Sequence, residues 1–266
     1  VSVTSIIRWF DNLNYPHPKL PECIAIDELR GNAGGEKFQC NIADPVKHQV
    51  IDILPSRNTE NLCKHFLEYP YKERAAVKKI IMDLSTLFRS VAKSMFPEAK
   101  IVADKFHVIR VVINSLENVR KRIQKEFHAT KRKWFKRSRY LLLKPEYKLT
   151  SEDKTELARM LNSSYDLEKA YVLKERFYEV FRKQTRTEAK KELGKWLLLA
   201  ADLSLPEFRH CITTFSNWKT EIANIIGERV SNGFIEGSNN KIKVLKRISY
   251  GVQNFDRFRN RILYLQ

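Results

Sequence analysis

Three acidic residues stand where a metal-dependent reaction would need them. Asp27 ends the apolar run CIAID, Asp83 ends the run IIMD, and Glu236 lies in NGFIEGSNNKIKVLKR, ahead of a basic stretch. The ends of neighbouring strands meet at one edge of an α/β sheet, so two strand-end aspartates can share a cation with a glutamate from a later helix. Such oxygen ligands select Mg²⁺ or Mn²⁺. Two of these ions about 3.5–4 Å apart can activate water or a 3′-hydroxyl for attack on a phosphodiester.

Each of these acids also has a purely structural interpretation. A strand-end aspartate commonly forms a turn or caps a helix, and Asp83 is followed by Leu-Ser-Thr, where a helix could begin. Glu236 could simply be a helix-start acid that the helix dipole favours. Glu28, Asp44 and Asp52 lie in the same part of the sequence as competing acids. Spacing alone therefore leaves the metal site as one of two interpretations.

The elements that would position the acids are strands in the first part of the chain. Five runs have the apolar or alternating pattern of strands: 23–27, 36–44, 49–54, 80–83 and 99–104. Turn residues join the first three into a meander, and helices follow the others. Ser85 is predicted to cap the helix over 85–96, and Thr59 an earlier one. This order predicts a mixed sheet in an α/β fold.

Residues 115–225 have a different sequence pattern. They show no convincing strand pattern, and most of them have the charged, amphipathic pattern of helices. The segment RKRIQKEFHATKRKWFKRSR (120–139) has ten Lys and Arg against one Glu, and Thr150 precedes two acids as a helix cap would. Aromatic residues such as Trp134 and Phe135 give these helices something to bury. We therefore expect a helical insertion here and not a linker.

Composition points to a polyanionic partner. The 266 residues include 49 Lys and Arg against 31 Asp and Glu, a net charge of +18, which favours nucleic acid ahead of a membrane. A basic ribosome-associated protein is the alternative. The four cysteines contain no C-x-x-C pair, which argues against a zinc site or a disulfide framework and favours a reducing compartment. No signal peptide and no apolar run of about 18 residues are present.

Three blocks carry a resemblance to a known family. They are IAIDELRG (24–31), IIMDLSTLFRSVAKSMFPEAKIVADKFHVIR (80–110) and NGFIEGSNNKIKVLKRISYGVQNFDRFRNRIL (232–263). The chain resembles the catalytic part of insertion-sequence transposases of the ISL-three (ISL3) family, which carry a DDE domain. The resemblance implies an RNase H-like fold, a mixed five-stranded sheet flanked by helices and interrupted by a large helical insertion before the last catalytic helix.

The resemblance also implies roles for the acids. Asp27 matches the first D and Glu236 the E, while Asp83 and Asp104 both end apolar strands in family-like blocks. We assign Asp83 as the second metal ligand, with Asp104 and His107 as an accessory motif and Asp104 as the alternative second Asp. Asp27, Asp83 and Glu236 would then hold two Mg²⁺ or Mn²⁺ ions.

The same resemblance implies a domain organisation. Residues 1–20 are expected to be the tail of a missing N-terminal DNA-binding unit. Residues 21–114 would form the first part of the core, 115–228 the insertion, and 229–266 the final helices with the catalytic Glu.

The function implied is Mg²⁺-dependent DNA strand cleavage and strand transfer for movement of an insertion sequence. The partners would be double-stranded DNA, at transposon ends and target, and further copies of the chain, in the bacterial cytoplasm at the nucleoid and without a membrane. The alternatives are an inactive or repurposed DNA-binding remnant and a structure-selective RNase H-like nuclease. The residues expected to contact phosphate are basic or amide side chains in two segments: Arg120, Lys121, Arg122, Lys131, Arg132, Lys133, Asn240, Lys241, Lys243, Lys246 and Arg247.

Overall fold

The computed structural model describes residues 1–13, 15–228, 230, 232–249 and 251–265. The chain divides into two compact units, and each is considered by itself. The sheet unit comprises Val1–Asp104 and Glu228–Gln266, and the helical unit comprises Lys105–Gly227. The sequence predicted that the insertion begins at residue 115. In the structure the helical unit begins at Lys105, the first residue of a continuous helix, Lys105–Gln124, that contains residue 115.

The sheet unit is built on five strands: β1 (Cys23–Leu29), β2 (Gln39–Asp44), β3 (Gln49–Leu54), β4 (Lys79–Met82) and β5 (Lys100–Ala103). Their order in the sheet is β3-β2-β1-β4-β5. The pairs β1–β2 and β2–β3 are antiparallel, whereas β1–β4 and β4–β5 are parallel. The mixed five-stranded sheet predicted from the sequence is therefore confirmed. Strand β1 is apolar along most of its length because both faces of a central strand are covered.

The helices follow in chain order: α1 (Val3–Asp11), α2 (Thr59–Leu67), α3 (Tyr71–Ala75), α4 (Thr86–Met95), α5 (Lys105–Gln124), α6 (Ala129–Arg137), α7 (Arg139–Leu143), α8 (Ser151–Leu161), α9 (Tyr165–Tyr178), α10 (Arg186–Asp202), α11 (Arg209–Asn217), α12 (Lys219–Ala223), α13 (Gly233–Ile248) and α14 (Phe255–Tyr264). Helices α5–α12 belong to the helical unit and the others to the sheet unit. Among the described residues, no helix is both long and apolar enough to span a bilayer.

Helix α13 is fixed on the sheet by its apolar residues. Ile235 packs with Ala25 of β1 and Ala43 of β2. Ile242, further along the helix, joins a cluster that contains Leu29 and Phe258. Burial of each such side chain contributes about 1.5–3 kcal/mol, so the first turns of α13 are held against β1 and β2.

The predicted helix starts are confirmed in two cases and wrong in one. Ser85 accepts a hydrogen bond from the Phe88 amide at 3.3 Å. Thr150 forms a capping box with Asp153 at the start of α8. Helix α2, by contrast, is capped by Asn58, whose side chain accepts from the Asn61 amide at 2.8 Å, and Thr59 is its first helical residue.

The helical unit has an aromatic core. The ring of Phe177 lies 5.1 Å from that of Trp196 and 5.0 Å from that of Phe215. The Trp196 indole donates to the Leu173 carbonyl at 2.8 Å, which satisfies its only donor. A core of this kind explains why a segment so rich in charge still folds.

Candidate active site

Three aspartates stand level at one edge of the sheet. Ile26 of β1 pairs with Met82 of β4, and Met82 pairs with Ala103 of β5. Asp27, Asp83 and Asp104 each follow one of these residues. The Asp104 amide donates to the Met82 carbonyl at 2.7 Å, so the ladder continues through this level. Because side chains at one level of parallel strands share a face, the three carboxylates belong to one edge and one face of the sheet.

Glu236 reaches this edge from the first turn of α13. One carboxylate oxygen of Glu236 and one of Asp104 lie within 4.8 Å of each other. Among the described residues, no group of three ligand side chains at that mutual separation includes Asp27 or Asp83. The structure therefore brings Glu236 close to Asp104, the alternative second Asp. His107 lies in the first turn of α5, in the helical unit.

Asp27 is held by a network of buried amides. Its Oδ2 accepts from Asn239 Nδ2 at 2.7 Å, and Asn239 Oδ1 accepts from Asn41 Nδ2 at 2.8 Å. Its other oxygen, Oδ1, accepts from the Glu28 amide at 2.8 Å. Asn239 stands three residues after Glu236, so both project from one side of α13.

The sequence interpretation missed both asparagines. For Asn239, its spacing of three residues from Glu236 was a signal in the sequence that it would lie near the site. For Asn41 the sequence held no such signal, since it is brought next to Asp27 by strand pairing.

The sheet edge carries a negative field. Cys40 lies on β2, beside β1, and its thiol is fully buried. Burial, and after it the charges of Asp27 and Asp83, raise the pKa of Cys40 well above its usual value. Burial is the larger cause, and the aspartate charges add to it from the neighbouring strands.

The acidic donor set fits a divalent cation. Asp104 is buried and Glu236 half-buried, and their oxygens are close enough for small side-chain movements to place both on one ion. Carboxylate oxygens at about 2.0–2.1 Å are the ligands that Mg²⁺ takes, usually alongside waters.

A comparison with known proteins identifies the family. A family model described as a transposase, of the DDE type named for ISL3, matches residues 24–262. The chain belongs to the ISL3 family of DDE transposases.

Curated relatives agree with this assignment. The chain is 26% identical over 241 residues to the transposase for insertion sequence element IS1001 of Bordetella parapertussis, a match covering 89% of this chain and 59% of that protein. It is 27% identical over 254 residues to the transposase for IS1557 of Mycobacterium tuberculosis, covering 87% and 57%. The chain thus spans less than three fifths of the length of these relatives.

A shorter match has a different description. It shows 35% identity over 94 residues to a Lactococcus lactis protein described as an ATP-dependent protease, and covers 35% of this chain and 26% of that protein. The shared segment is too small a part of either chain to bear on function.

In this transposase family member, most of the α13 side chains named above as DNA contacts are exposed. Four side chains of the predicted DNA-binding set are exposed, namely Asn240, Lys241, Lys243 and Arg247, and Lys246 is half-buried. Ile242 is buried. Asn240, Lys243 and Arg247 stand 4, 7 and 11 residues after Glu236, so they share its face of α13.

The cations of the helical unit divide into two sets. Lys121, Arg132 and Lys133 are exposed, and Lys131 lies over the Phe127 ring with Nζ 4.0 Å from its centre. These side chains are accessible to a polyanion.

The two arginines of this segment are engaged within the unit instead. Arg120 is only 3% exposed and donates through Nε to Glu117 Oε1 at 2.8 Å. Arg122 pairs with Asp166 at 2.9 Å and Glu207 at 2.6 Å. A sequence window cannot reveal these ion pairs because the partners come from packing. Phosphate contact by Arg120 and Arg122 stays an untested prediction.

Proposed function

We propose that this chain is the catalytic part of an insertion-sequence transposase, which cleaves DNA strands and joins the freed 3′-hydroxyl to a target. Asp27, Asp83 and Glu236 would hold two Mg²⁺ or Mn²⁺ ions. The observation that carries the proposal is the level placement of three aspartates beside the first turn of α13. Asp83 and Asp104 follow β4 and β5, whereas Asp27 lies two residues before the end of β1 and is not at the strand end that the sequence predicted. Family membership supports the same reading.

The protein's own residues position this chemistry. Divalent ions supply a nucleophile at neutral pH and stabilise the leaving oxygen of a phosphodiester. Asn239 fixes one oxygen of Asp27 by its 2.7 Å hydrogen bond, which leaves the carboxylate in a defined orientation. The N-terminus of α13 delivers Glu236 to the same edge.

Asp104 is the alternative second ligand, and one observation favours it. Its carboxylate lies within 4.8 Å of that of Glu236. Asp83→Asn and Asp104→Asn distinguish the two: the variant of the metal ligand loses cleavage in both Mg²⁺ and Mn²⁺, whereas the variant of the accessory residue keeps measurable cleavage. His107 is proposed as an accessory residue together with Asp104, so its role depends on the outcome for Asp104.

DNA contact is proposed for the exposed cations alone. On α13 these are Lys241, Lys243 and Arg247, with Asn240 and the half-buried Lys246 beside them. In the helical unit they are Lys121, Arg132 and Lys133, with the half-buried Lys131 beside them. Each phosphate contact steepens the salt dependence of binding by about 0.9 in the log–log slope. The partners proposed are transposon ends, target DNA and further copies of the chain.

Nicking and joining assays test the proposal. The substrate is duplex DNA carrying the ends of the element that encodes the chain, with Mg²⁺ or Mn²⁺. Asp27→Asn and Glu236→Gln should each lower strand transfer by about 10³-fold or more, because metal stabilisation of the transition state is worth several kcal/mol. DNA affinity should change little. Glu98→Gln, at an exposed acid of the sheet unit, is the matched control and should keep full activity.

The outcomes separate the rival functions. Strand transfer retained by Asp27→Asn or Glu236→Gln would sink the assignment of the ligands. Wild-type binding without any cleavage would indicate a DNA-binding remnant. Metal-dependent cutting of branched DNA without joining would indicate a structure-selective nuclease.

A further inference from the structure

A second group of ligand-type side chains lies in the sheet unit, centred on Asp52 of β3. One ligand atom from each of His17, Asp52 and His65 lies within 4.8 Å of the others. His17 belongs to the segment before β1, and His65 belongs to α2. Three separate parts of the chain thus converge on one point.

This group is separate from the aspartate edge. Asp27 pairs with Asn41 of β2, whereas Asp52 pairs with Ile42. Because consecutive residues of a strand face opposite sides of the sheet, Asp27 and Asp52 lie on opposite faces. The two groups therefore cannot share an ion.

The distances within the group are too long for hydrogen bonds and close to those of a metal site. His65 Nδ1 lies 3.8 Å from Asp52 Oδ2, and His17 Nδ1 lies 4.0 Å from the same oxygen. Hydrogen bonds between such atoms end near 3.2 Å. Ligands of a tetrahedral Zn²⁺, with bonds of about 2.0–2.2 Å, stand about 3.4 Å apart, so movements of a few tenths of an ångström would close the site.

The imidazole of His65 has unused bonding capacity. Its side chain is only 6% exposed, and Nε2 is buried without a hydrogen-bond partner among the described residues. A buried imidazole normally engages its ring nitrogens, since leaving a polar atom unsatisfied costs about 1–3 kcal/mol. The nitrogen near Asp52 is Nδ1, 3.8 Å from Oδ2, so an ion at Asp52 would bind Nδ1 and leave the ring proton on Nε2.

The surrounding side chains orient the ligands as outer-shell partners do. His17 Nε2 lies 2.8 Å from Glu68 Oε2, which leaves Nδ1 directed at Asp52. Asp52 Oδ1 accepts from Arg259 Nε at 2.5 Å and from the Ile53 amide at 2.7 Å. Its Oδ2 is the atom that faces both imidazoles. A carboxylate behind a ligating histidine, and donors behind a ligating carboxylate, are the usual second layer of a metal site.

We propose that His17, Asp52 and His65 bind one Zn²⁺ ion on the face of the sheet opposite Asp27. Two imidazoles with one carboxylate suit zinc, with water in the fourth position. The ion would tie the segment before β1 to β3 and α2. Its function is then structural, and it does not depend on the proposed transposase activity.

Zinc titration of the chelator-treated chain tests this proposal. Excess Mg²⁺ is kept present so that it occupies the carboxylate edge, and a chromophoric chelator reports free zinc. We expect one Zn²⁺ per chain, and Co²⁺ in its place should give the visible absorption of a tetrahedral site. His17→Gln and His65→Gln should lose the site, and Glu68→Gln should weaken it by about 10-fold to 100-fold.

The controls keep the test decisive. His210→Gln changes an exposed histidine of the helical unit and should bind zinc as the wild type does. His17 is itself 42% exposed, so its variant should fold normally, and circular dichroism without zinc checks this. Bound zinc should raise the unfolding temperature of the wild type and not that of His17→Gln. Unchanged zinc stoichiometry and affinity in His17→Gln would overturn the proposal, as would loss of zinc in Asp27→Asn with retention in His17→Gln.

Discussion

The two units bury charge in opposite ways. In the helical unit, the buried Glu117 accepts from the guanidinium of Arg120 at 2.8 Å, an ion pair within one helix. In the sheet unit, two carboxylates of the same sign, those of Asp104 and Glu236, lie within 4.8 Å of each other. The first arrangement neutralises itself, whereas the second brings two like charges together, and a bound cation would relieve their repulsion.

This difference separates a structural charge from a functional one. A buried ion pair is costly to break, since the remaining partner is left as an uncompensated charge. A pair of like charges destabilises the fold that contains it and so persists where it binds something. Removing the charge of Glu117 should therefore lower stability, whereas removing that of Glu236 should raise it.

The largest expected effect is that of Glu117→Gln. It leaves the guanidinium of Arg120 buried without its carboxylate and should lower the free energy of unfolding of the helical unit by about 3–5 kcal/mol. Urea denaturation followed by tryptophan fluorescence measures this, because Trp134, Trp196 and Trp218 all lie in that unit.

Glu236→Gln is expected to have the opposite effect, a gain in stability. Two carboxylate charges within 4.8 Å of each other repel by about 3 kcal/mol or more at an effective dielectric constant of about 20, and solvent and the other contacts of Asp104 screen part of this repulsion. In metal-free buffer, this variant should gain about 1–2 kcal/mol of stability. Glu168→Gln, at an exposed acid of α9, is the control and should change stability by under about 0.5 kcal/mol. Equal losses in Glu117→Gln and Glu236→Gln would break the comparison.

Asn239 provides the next largest effect. Asn239→Ala removes the donor that fixes Asp27 Oδ2 and should lower the rate of strand cleavage by about 10-fold to 100-fold, as loss of an orienting partner typically does. DNA affinity should stay the same, since the side chain is buried. The neighbouring Asn240→Ala, at an exposed position, should show the reverse, with weaker DNA binding and a normal rate at saturation. If both variants change binding alone, Asn239 does not position the site.

The sequence predicted the scaffold of the site because its signals are local. Apolar runs that end in acids marked β1, β4 and β5, and parallel pairing then places Asp27, Asp83 and Asp104 at one level. The Ser85 cap and the alternation of buried and exposed residues on α13 are likewise properties of short windows.

The remaining features depend on long-range contacts. Asn41 and Asn239 are 198 residues apart and meet only because α13 packs on β2. His17, Asp52 and His65 come from three separate segments and do not form a recognisable sequence motif. The sequence argument about zinc sites considered only cysteines, so it could not find this group. Arg120 resembles its exposed neighbours in sequence and is buried by packing.

The smallest expected effect on stability is that of Glu228, which lies at the end of β4 and β5 opposite to Asp83 and Asp104. Lys79 and Lys100 begin β4 and β5, and both pair with Glu228, with 2.7 Å between Lys79 Nζ and Glu228 Oε2. Burial alone would raise the pKa of Glu228, but the hydrogen bonds and charges of the two lysines outweigh it, and its pKa lies below the usual 4.5.

A carboxyl group whose folded pKa is depressed stabilises the fold fully above its unfolded pKa, and this contribution disappears as the pH falls through the folded pKa. Wild-type stability should therefore fall below about pH 4.5 by about 0.5–1 kcal/mol more than that of Glu228→Gln, as expected of a partly exposed ion pair. Unfolding in urea at a series of pH values measures the difference. Glu22→Gln is the control, because Glu22 pairs with Lys78 at the surface, where both side chains are more than half exposed. A pH-dependent loss for Glu228→Gln as large as that of the wild type and of Glu22→Gln would show that burial does not strengthen the ion pair of Glu228.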